Sequence, residues 1–217
     1  MNMNEFFLNG FGRLYLKLIG LSFMIFICAG ISIDVNHLPI HWNLAGEPDQ
    51  FANKWIALAV FPFILIILIL VMMFVAKLES RKENLKQSKK ALSYVVGAIA
   101  LLLVVLQIIS ILAGLDVIQS LGHWVVAGLS FVFLIMGNFM GKIQSNHSFG
   151  IRTKATLSDE NVWRKTHRLA GFLFVFAAVM GLSALFWIDA SLLWMIIVGF
   201  VLAAIVPAVY SRLIAAS

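Results

Sequence analysis

Long apolar runs broken by short polar clusters set the pattern of this chain. Between charged residues lie six uncharged stretches: Leu18 to Ile33, Trp55 to Ala76, Ala91 to Leu115, Val117 to Gly141, Leu169 to Ile188 and Ala190 to Ser211. Five of them hold at least twenty residues, enough for an α-helix to cross a hydrocarbon core of roughly 30 Å. The first reaches that length by extending back through Phe11 to Lys17, with Arg13 and Lys17 stretching to the headgroups. The pattern therefore predicts an all-α, polytopic membrane protein, a bundle of six transmembrane helices near 13–33, 55–76, 92–114, 121–141, 167–187 and 191–211. An outer loop over 34–54 and inner loops over 77–91 and 142–166 complete a single membrane domain, 1–217. Two short outer turns, around Asp116 to Gly122 and Asp189 to Ser191, join neighbouring helices as antiparallel pairs.

Composition agrees with this class. With 62% hydrophobic residues, 12% charged residues and a mean hydropathy of +0.98, a 217-residue chain cannot hide its apolar surface inside a soluble fold. The basic N-terminal segment is read as part of the first span; it lacks the small-x-small pattern of a cleaved leader. Cys28 is the only cysteine, which excludes an intramolecular disulfide and a cysteine-based zinc site, and it is expected to be a buried apolar residue.

Charge sets the orientation. With both termini inside, fifteen of the sixteen Lys and Arg residues are cytoplasmic and only Lys54 is outside, so N-in/C-in is expected. The net charge of +6 then describes an inner surface facing anionic membrane lipids, with no indication of direct nucleic-acid binding.

The loops differ in character. Lys77 to Lys90 is basic, contains neither Gly nor Pro, and favours helical extensions of spans two and three. It reads as a solvated, lipid-facing loop or as a docking site for a cytoplasmic partner. The second inner loop, Asn146 to Arg168, is a dense polar island. Gly150 offers a backbone break, and Ser158 is the best N-cap for the helix leading into span five, placing Asp159 and Glu160 in its first turn. On that helix Glu160, Trp163, His167 and Gly171 share one stripe, with Arg164 and Arg168 beside it. The bland reading is an interfacial Trp with phosphate-contacting cations. The alternative is a paired network of Arg152, Glu160, Arg164, His167 and Arg168.

In the outer loop, His37, His41 and Asp49 are conceivable metal ligands, but Pro39 opposes the helix that would align the histidines, and no metal or cofactor is assigned. A folded turn held by Asn43, Gly46 and Asp49, with His41 and Lys54 paired to polar groups, is preferred. A peptide-contact surface with Trp42 and Phe51 as apolar anchors is the other reading. Within the spans, Gln107, Ser110, His123, Asn138 and Ser183 are candidates for interhelical hydrogen bonds, and Gly137 with Gly141 forms a small-x-x-x-small pair. Pro62 and Pro207 mark positions where helices two and six can kink. No buried chain of ionisable residues suggests proton-coupled transport.

The run Gly150-Ile-Arg-Thr-x-x-Thr-Leu-Ser-x-Glu-x-Val-Trp-x-x-Thr-His-Arg-x-x-Gly171, preceded by Gly137-Asn138 and Asn146, resembles the signature of the SdpI family. Those bacterial membrane proteins give immunity to the sporulation-delaying toxin peptide. The outer segment Pro39-Ile-His41-Trp42-Asn43-x-x-Gly46-x-Pro-Asp49, ending at Lys54, resembles a second module found at the N-terminus of the same family. Lys154-Ala155 departs from the usual signature. The resemblance implies a multi-pass protein of the bacterial cytoplasmic membrane that protects the cell from a secreted toxin peptide. For the best-known member it also implies capture of a cytoplasmic transcriptional repressor. It nominates Asn138, Asn146, Gly150, Arg152, Thr153, Thr156, Glu160, Trp163, Thr166, His167 and Arg168 inside, and His41, Trp42, Asn43, Gly46, Asp49 and Lys54 outside, as ligand- or partner-binding residues. No catalytic residue is assigned. Two other classes stay open: a membrane enzyme acting on lipid or peptide, with His167 as acid or base and Arg152 and Arg168 gripping phosphate, and a small toxin or lipid transporter.

Overall fold

The computed structural model describes residues 11–43, 46–118, 121–186 and 193–216. The expected turn at Asp189 to Ser191 lies outside the described residues, as do parts of the hairpin tip and of the turn at Asp116 to Gly122. Helices α1 (Phe11–Ser32), α2 (Lys54–Leu78), α4 (Lys89–Gly114), α5 (Gly122–Met140), α7 (Glu160–Ala184) and α8 (Leu193–Ala215) form the bundle, with short helices α3 (Lys82–Gln87) and α6 (Lys154–Ser158) in the loops. Among the described residues six helices are long and apolar enough to cross a membrane. Their outward faces carry large apolar side chains such as Ile67, Phe74, Phe172 and Phe176, which belong against lipid tails. Cys28 joins that outer face and is exposed, contrary to the expectation of burial. A weakly polar thiol suits hydrocarbon as well as a protein core.

Close packing is concentrated where side chains are small. At the α5–α7 crossing, a Cβ on Gly137 would lie 2.7 Å from the Gly171 carbonyl oxygen, and one on Gly171 would lie 2.8 Å from the Gly137 oxygen. The pairing is thus between helices, Gly137 with Gly171. Gly141, expected to join Gly137, has only the Arg168 Cγ at 3.9 Å from its Cβ position. Such contacts let backbones approach in a setting where lipid removes the usual hydrophobic drive between helices.

Buried polar atoms join α1, α2 and α4. Ser22 Oγ donates to Gln107 Oε1 at 2.6 Å, and Gln107 Nε2 donates to the carbonyls of Ser22 and Leu58 at 3.1 and 3.3 Å. Ser110 Oγ donates instead to Pro39 O of the outer segment at 2.9 Å. His123, Asn138 and Ser183 are exposed, and Ser183 bonds back to Val179 O of its own helix, so these three make no interhelical bond among the described residues. Helices α2 and α8 run continuously through Pro62 and Pro207.

The loop expected outside is a small antiparallel hairpin, β1 (His37–Trp42) with β2 (Pro48–Asn53), an addition to the otherwise helical fold. Its register skips Ile40 and Asp49, and the displaced Asp49 carboxylate meets His41 Nδ1 at 2.6 Å. Gly46, at φ 80°, makes the tip, where Asn43 N donates to Glu47 O and Glu47 N to Asn43 Oδ1. The hairpin is seated firmly: Leu38 is fully buried against Gly114, Gly46 O accepts from Leu121 N at 2.8 Å, and Lys54 Nζ donates to Ile33 O at 2.8 Å.

Candidate functional site

At the end of the bundle opposite the hairpin, the two basic loops are bonded into one cap. The first loop does not simply extend its helices. After Leu78 the chain turns extended at Glu79, which is 3% exposed. Glu79 sits at the C-terminal end of α2, where the helix dipole disfavours an anion, so its carboxylate needs donors from elsewhere. They come from its own loop and from the second one: Arg81 N–H at 2.8 Å, His147 N–H at 2.9 Å and the Ser148 hydroxyl. Burial pushes the carboxyl up, but these bonds and the nearby His147 ring outweigh it and hold Glu79 below the usual glutamate range.

Three further residues of the first loop reach across. The Arg81 guanidinium donates to Ser145 Oγ and, at 2.8 Å, to Leu157 O. Asn84 Nδ2 donates to Ser145 O, and Ser88 Oγ accepts from Gln144 N, both at 2.8 Å. Sequence reasoning missed Glu79, Arg81, Asn84, Ser88 and Ser145 as site residues. The carboxylate isolated at a helix C-terminus was the available signal.

The second loop folds around its own polar side chains. Asn146 is fully buried; its Oδ1 accepts from Ser148 N and Phe149 N at 2.8 and 2.6 Å, and its Nδ2 donates to Gln144 O. Gly150 has φ +101°, and a Cβ there would lie 2.5 Å from His167 Nε2, so both backbone and space call for glycine. Thr153 and Thr156 form a reciprocal capping box on α6, and Thr156 Oγ1 also donates to Ile151 O at 2.8 Å. Helix α7 is then capped by Asp159, whose Oδ1 accepts from Asn161 N and Val162 N, in place of the expected Ser158. The reason is local: Ser158 closes α6 and bonds back to Ala155 O, leaving the extended Asp159 to start the next helix.

The expected stripe on α7 is the keystone. Trp163 Nε1 donates to Ile143 O at 2.8 Å, and its ring stacks on His167 with centroids 4.0 Å apart. His167 is 1% exposed, with Nδ1 at 2.8 Å from Trp163 O and Nε2 accepting from Ile151 N–H at 3.1 Å. A carbonyl on one nitrogen and an amide donor on the other fit the neutral ring protonated on Nδ1. Both nitrogens are occupied, so the imidazole is a strut joining loop and helix, poorly placed as an acid or base. Gly171 continues the stripe into the α5 crossing.

The other nominated residues fall elsewhere. Glu160, Arg164 and Arg168 are exposed, and Arg164 bonds Asn161; the paired network of Arg152, Glu160, Arg164, His167 and Arg168 is not formed among the described residues. Arg152 donates to His147 O at 2.6 Å. Asn138 is exposed on α5 and takes no part in the knot. Thr166 is buried, its hydroxyl without a protein partner among the described residues. In the hairpin, His41, Asn43, Gly46, Asp49 and Lys54 are structural ties, whereas Phe51 is 55% exposed and Trp42 half-buried. Among the described residues no group of three or more His, Cys, Asp or Glu converges as metal ligands.

Fold and site together define a multi-pass integral membrane protein whose two basic loops are locked into one cap over span five. Residues 142–211, from the second loop to the far end of the last span, match the SdpI/YfhL protein family, and residues 36–66 match a domain of unknown function, DUF1648. Over 139 residues the chain is 27% identical to "Immunity protein SdpI" of Bacillus subtilis (strain 168), covering 64% of this chain and 64% of the length of that relative. The resemblance to the SdpI family therefore holds. No solved structure matches the chain.

Proposed function

We propose that this protein is an immunity protein of the bacterial cytoplasmic membrane, N-in/C-in, that protects the cell by binding a secreted, membrane-active toxin peptide. The observation that carries the reading is that the family match over residues 142–211 takes in the second basic loop, whose polar side chains are built into a knot. The relative's name, immunity protein, supplies the function. On this reading the outer hairpin makes first contact through Phe51 and Trp42, held rigid by the His41–Asp49 pair and the Asn43–Gly46 tip. Spans four and five, joined at Gly137 and Gly171, couple that surface to the cap formed by Asn146, Gly150, Thr153, Thr156, Trp163 and His167. The exposed cations Arg164 and Arg168 then offer a docking face for a cytoplasmic repressor.

The test is survival of toxin-sensitive cells expressing the chain. Wild type is expected to protect. Arg152→Ala, Trp163→Ala and His167→Ala are each expected to abolish protection while membrane levels and six-span insertion persist. Full protection by all three variants would defeat the reading of the cap, and no protection by wild type would defeat the immunity role itself.

A further inference from the structure

At the edge of the knot, sharing Arg152 and Thr153 with it, Arg152, Lys154 and Arg212 line one open cavity of about 660 Å³, with Thr153, Ala155, Ala215 and Ala216 completing its wall. All three cations are exposed, and among the described residues no carboxylate lines the cavity. Arg212 alone would be an ordinary charge in the last turn of α8, where the helix dipole favours a cation. That does not explain why a second segment brings two more cations to the same place. They are held there by a specific tie, the 2.8 Å hydrogen bond between Thr153 and Ser211 hydroxyls, which pins the start of α6 to α8 across 58 positions of sequence. Like charges fixed together without a counter-ion repel one another, and the arrangement is relieved by a bound anion.

We propose that this cup binds the phosphate of an anionic lipid headgroup. Its position selects the lipid over a soluble phosphate. Arg212 and Ala215 belong to the terminal turns of a membrane span, the depth at which headgroups lie. The alanine methyls give the wall an apolar side for the glycerol and first acyl carbons, while the guanidinium groups present paired donors to phosphate oxygens. Basic pockets at helix ends use this chemistry for headgroup recognition. Lys154 and Arg212, the two cations removed in the test, lie outside the residues assigned to toxin binding.

Native mass spectrometry of the full detergent-solubilised chain, titrated with phosphatidylglycerol or phosphatidylcholine, tests the proposal. Wild type is expected to retain phosphatidylglycerol preferentially. The double variant K154Q/R212Q is expected to lose about 25-fold in apparent affinity, roughly five-fold per charge. R212K, which keeps the charge, retains most of it, and K82Q/K86Q, which removes the same charge from the other loop, stays within about two-fold. Equal retention of the two lipids, undiminished binding in K154Q/R212Q, or an equal loss in K82Q/K86Q overturns the site. Displacement by inorganic phosphate or glycerol 3-phosphate as effectively as by added phosphatidylglycerol overturns the lipid assignment in favour of a soluble phosphate.

Discussion

Replacing Glu79 with Gln probes the joint between the two basic loops with almost no change of volume. The carboxylate accepts from Arg81 N on one oxygen and from His147 N and Ser148 Oγ on the other. A glutamine keeps a single acceptor oxygen, so either one donor or two must face an NH₂ group. Hydrogen bonds to charged groups contribute about 1.5–3 kcal/mol each, and a buried donor left unpaired costs a comparable amount. The expected weakening of the cap is about 2–4 kcal/mol, which corresponds to about 30- to 1,000-fold faster opening-limited exchange. Amide hydrogen exchange on the chain in lipid nanodiscs reads this directly, with peptides covering 79–88 and 143–153 compared against the hairpin 37–53. The cap peptides are expected to accelerate while the hairpin does not. Unchanged exchange at His147, or equal acceleration of the hairpin, would refute the idea that Glu79 locks the loops. Acid provides an independent check of sign. Because Glu79 titrates below the usual glutamate value, its contribution is present above that value, near 4.3, and is lost as pH falls through the lower folded one. The gap between wild type and E79Q is therefore expected to narrow on acidification in that window.

Four further substitutions test the packing. Gly137→Val places side-chain carbons where the Gly171 carbonyl sits 2.7 Å from the Cβ position and is expected to lower stability by about 1–3 kcal/mol or more in detergent thermal unfolding, whereas Gly141→Ala is near neutral. His167→Phe keeps a ring against Trp163 but strands Ile151 N–H and removes the ring's bond to Trp163 O. A loss of about 1–3 kcal/mol in denaturant titrations, with faster exchange at Ile151, is expected. Gln107→Leu removes the bonds to Ser22 and Leu58 and is expected to cost about 0.6–2 kcal/mol in detergent unfolding without affecting exchange in the cap.

How much of this was legible beforehand follows from the range of each signal. The spans were readable because a run of twenty uncharged residues has few alternatives to a membrane helix, and the i, i+3, i+4 stripe placed Trp163, His167 and Gly171 together because one helix fixes that geometry. Pairings between segments left no such trace. The Gly137 and Gly141 motif marked a helix that a neighbour could approach closely, and one does at Gly137, but nothing local named Gly171 as its partner. Arg81, Asn84 and Ser88 read as a solvated basic loop since their hydrogen-bond partners lie 56 to 76 residues away. The hairpin escaped notice because Pro39 and the skipped residues Ile40 and Asp49 break the alternation by which a strand is recognised. The hydroxyl tie from Thr153 to Ser211 is equally non-local, and it is the tie that assembles the basic cup.

Direct binding of the toxin peptide to the purified protein in lipid nanodiscs tests the immunity account most sharply, with the peptide recovered afterwards for mass analysis. The account expects saturable binding, weakened by Phe51→Ala together with Trp42→Ala, and a peptide of unchanged mass. Absence of saturable binding, or recovery of a cleaved or modified peptide, would contradict it.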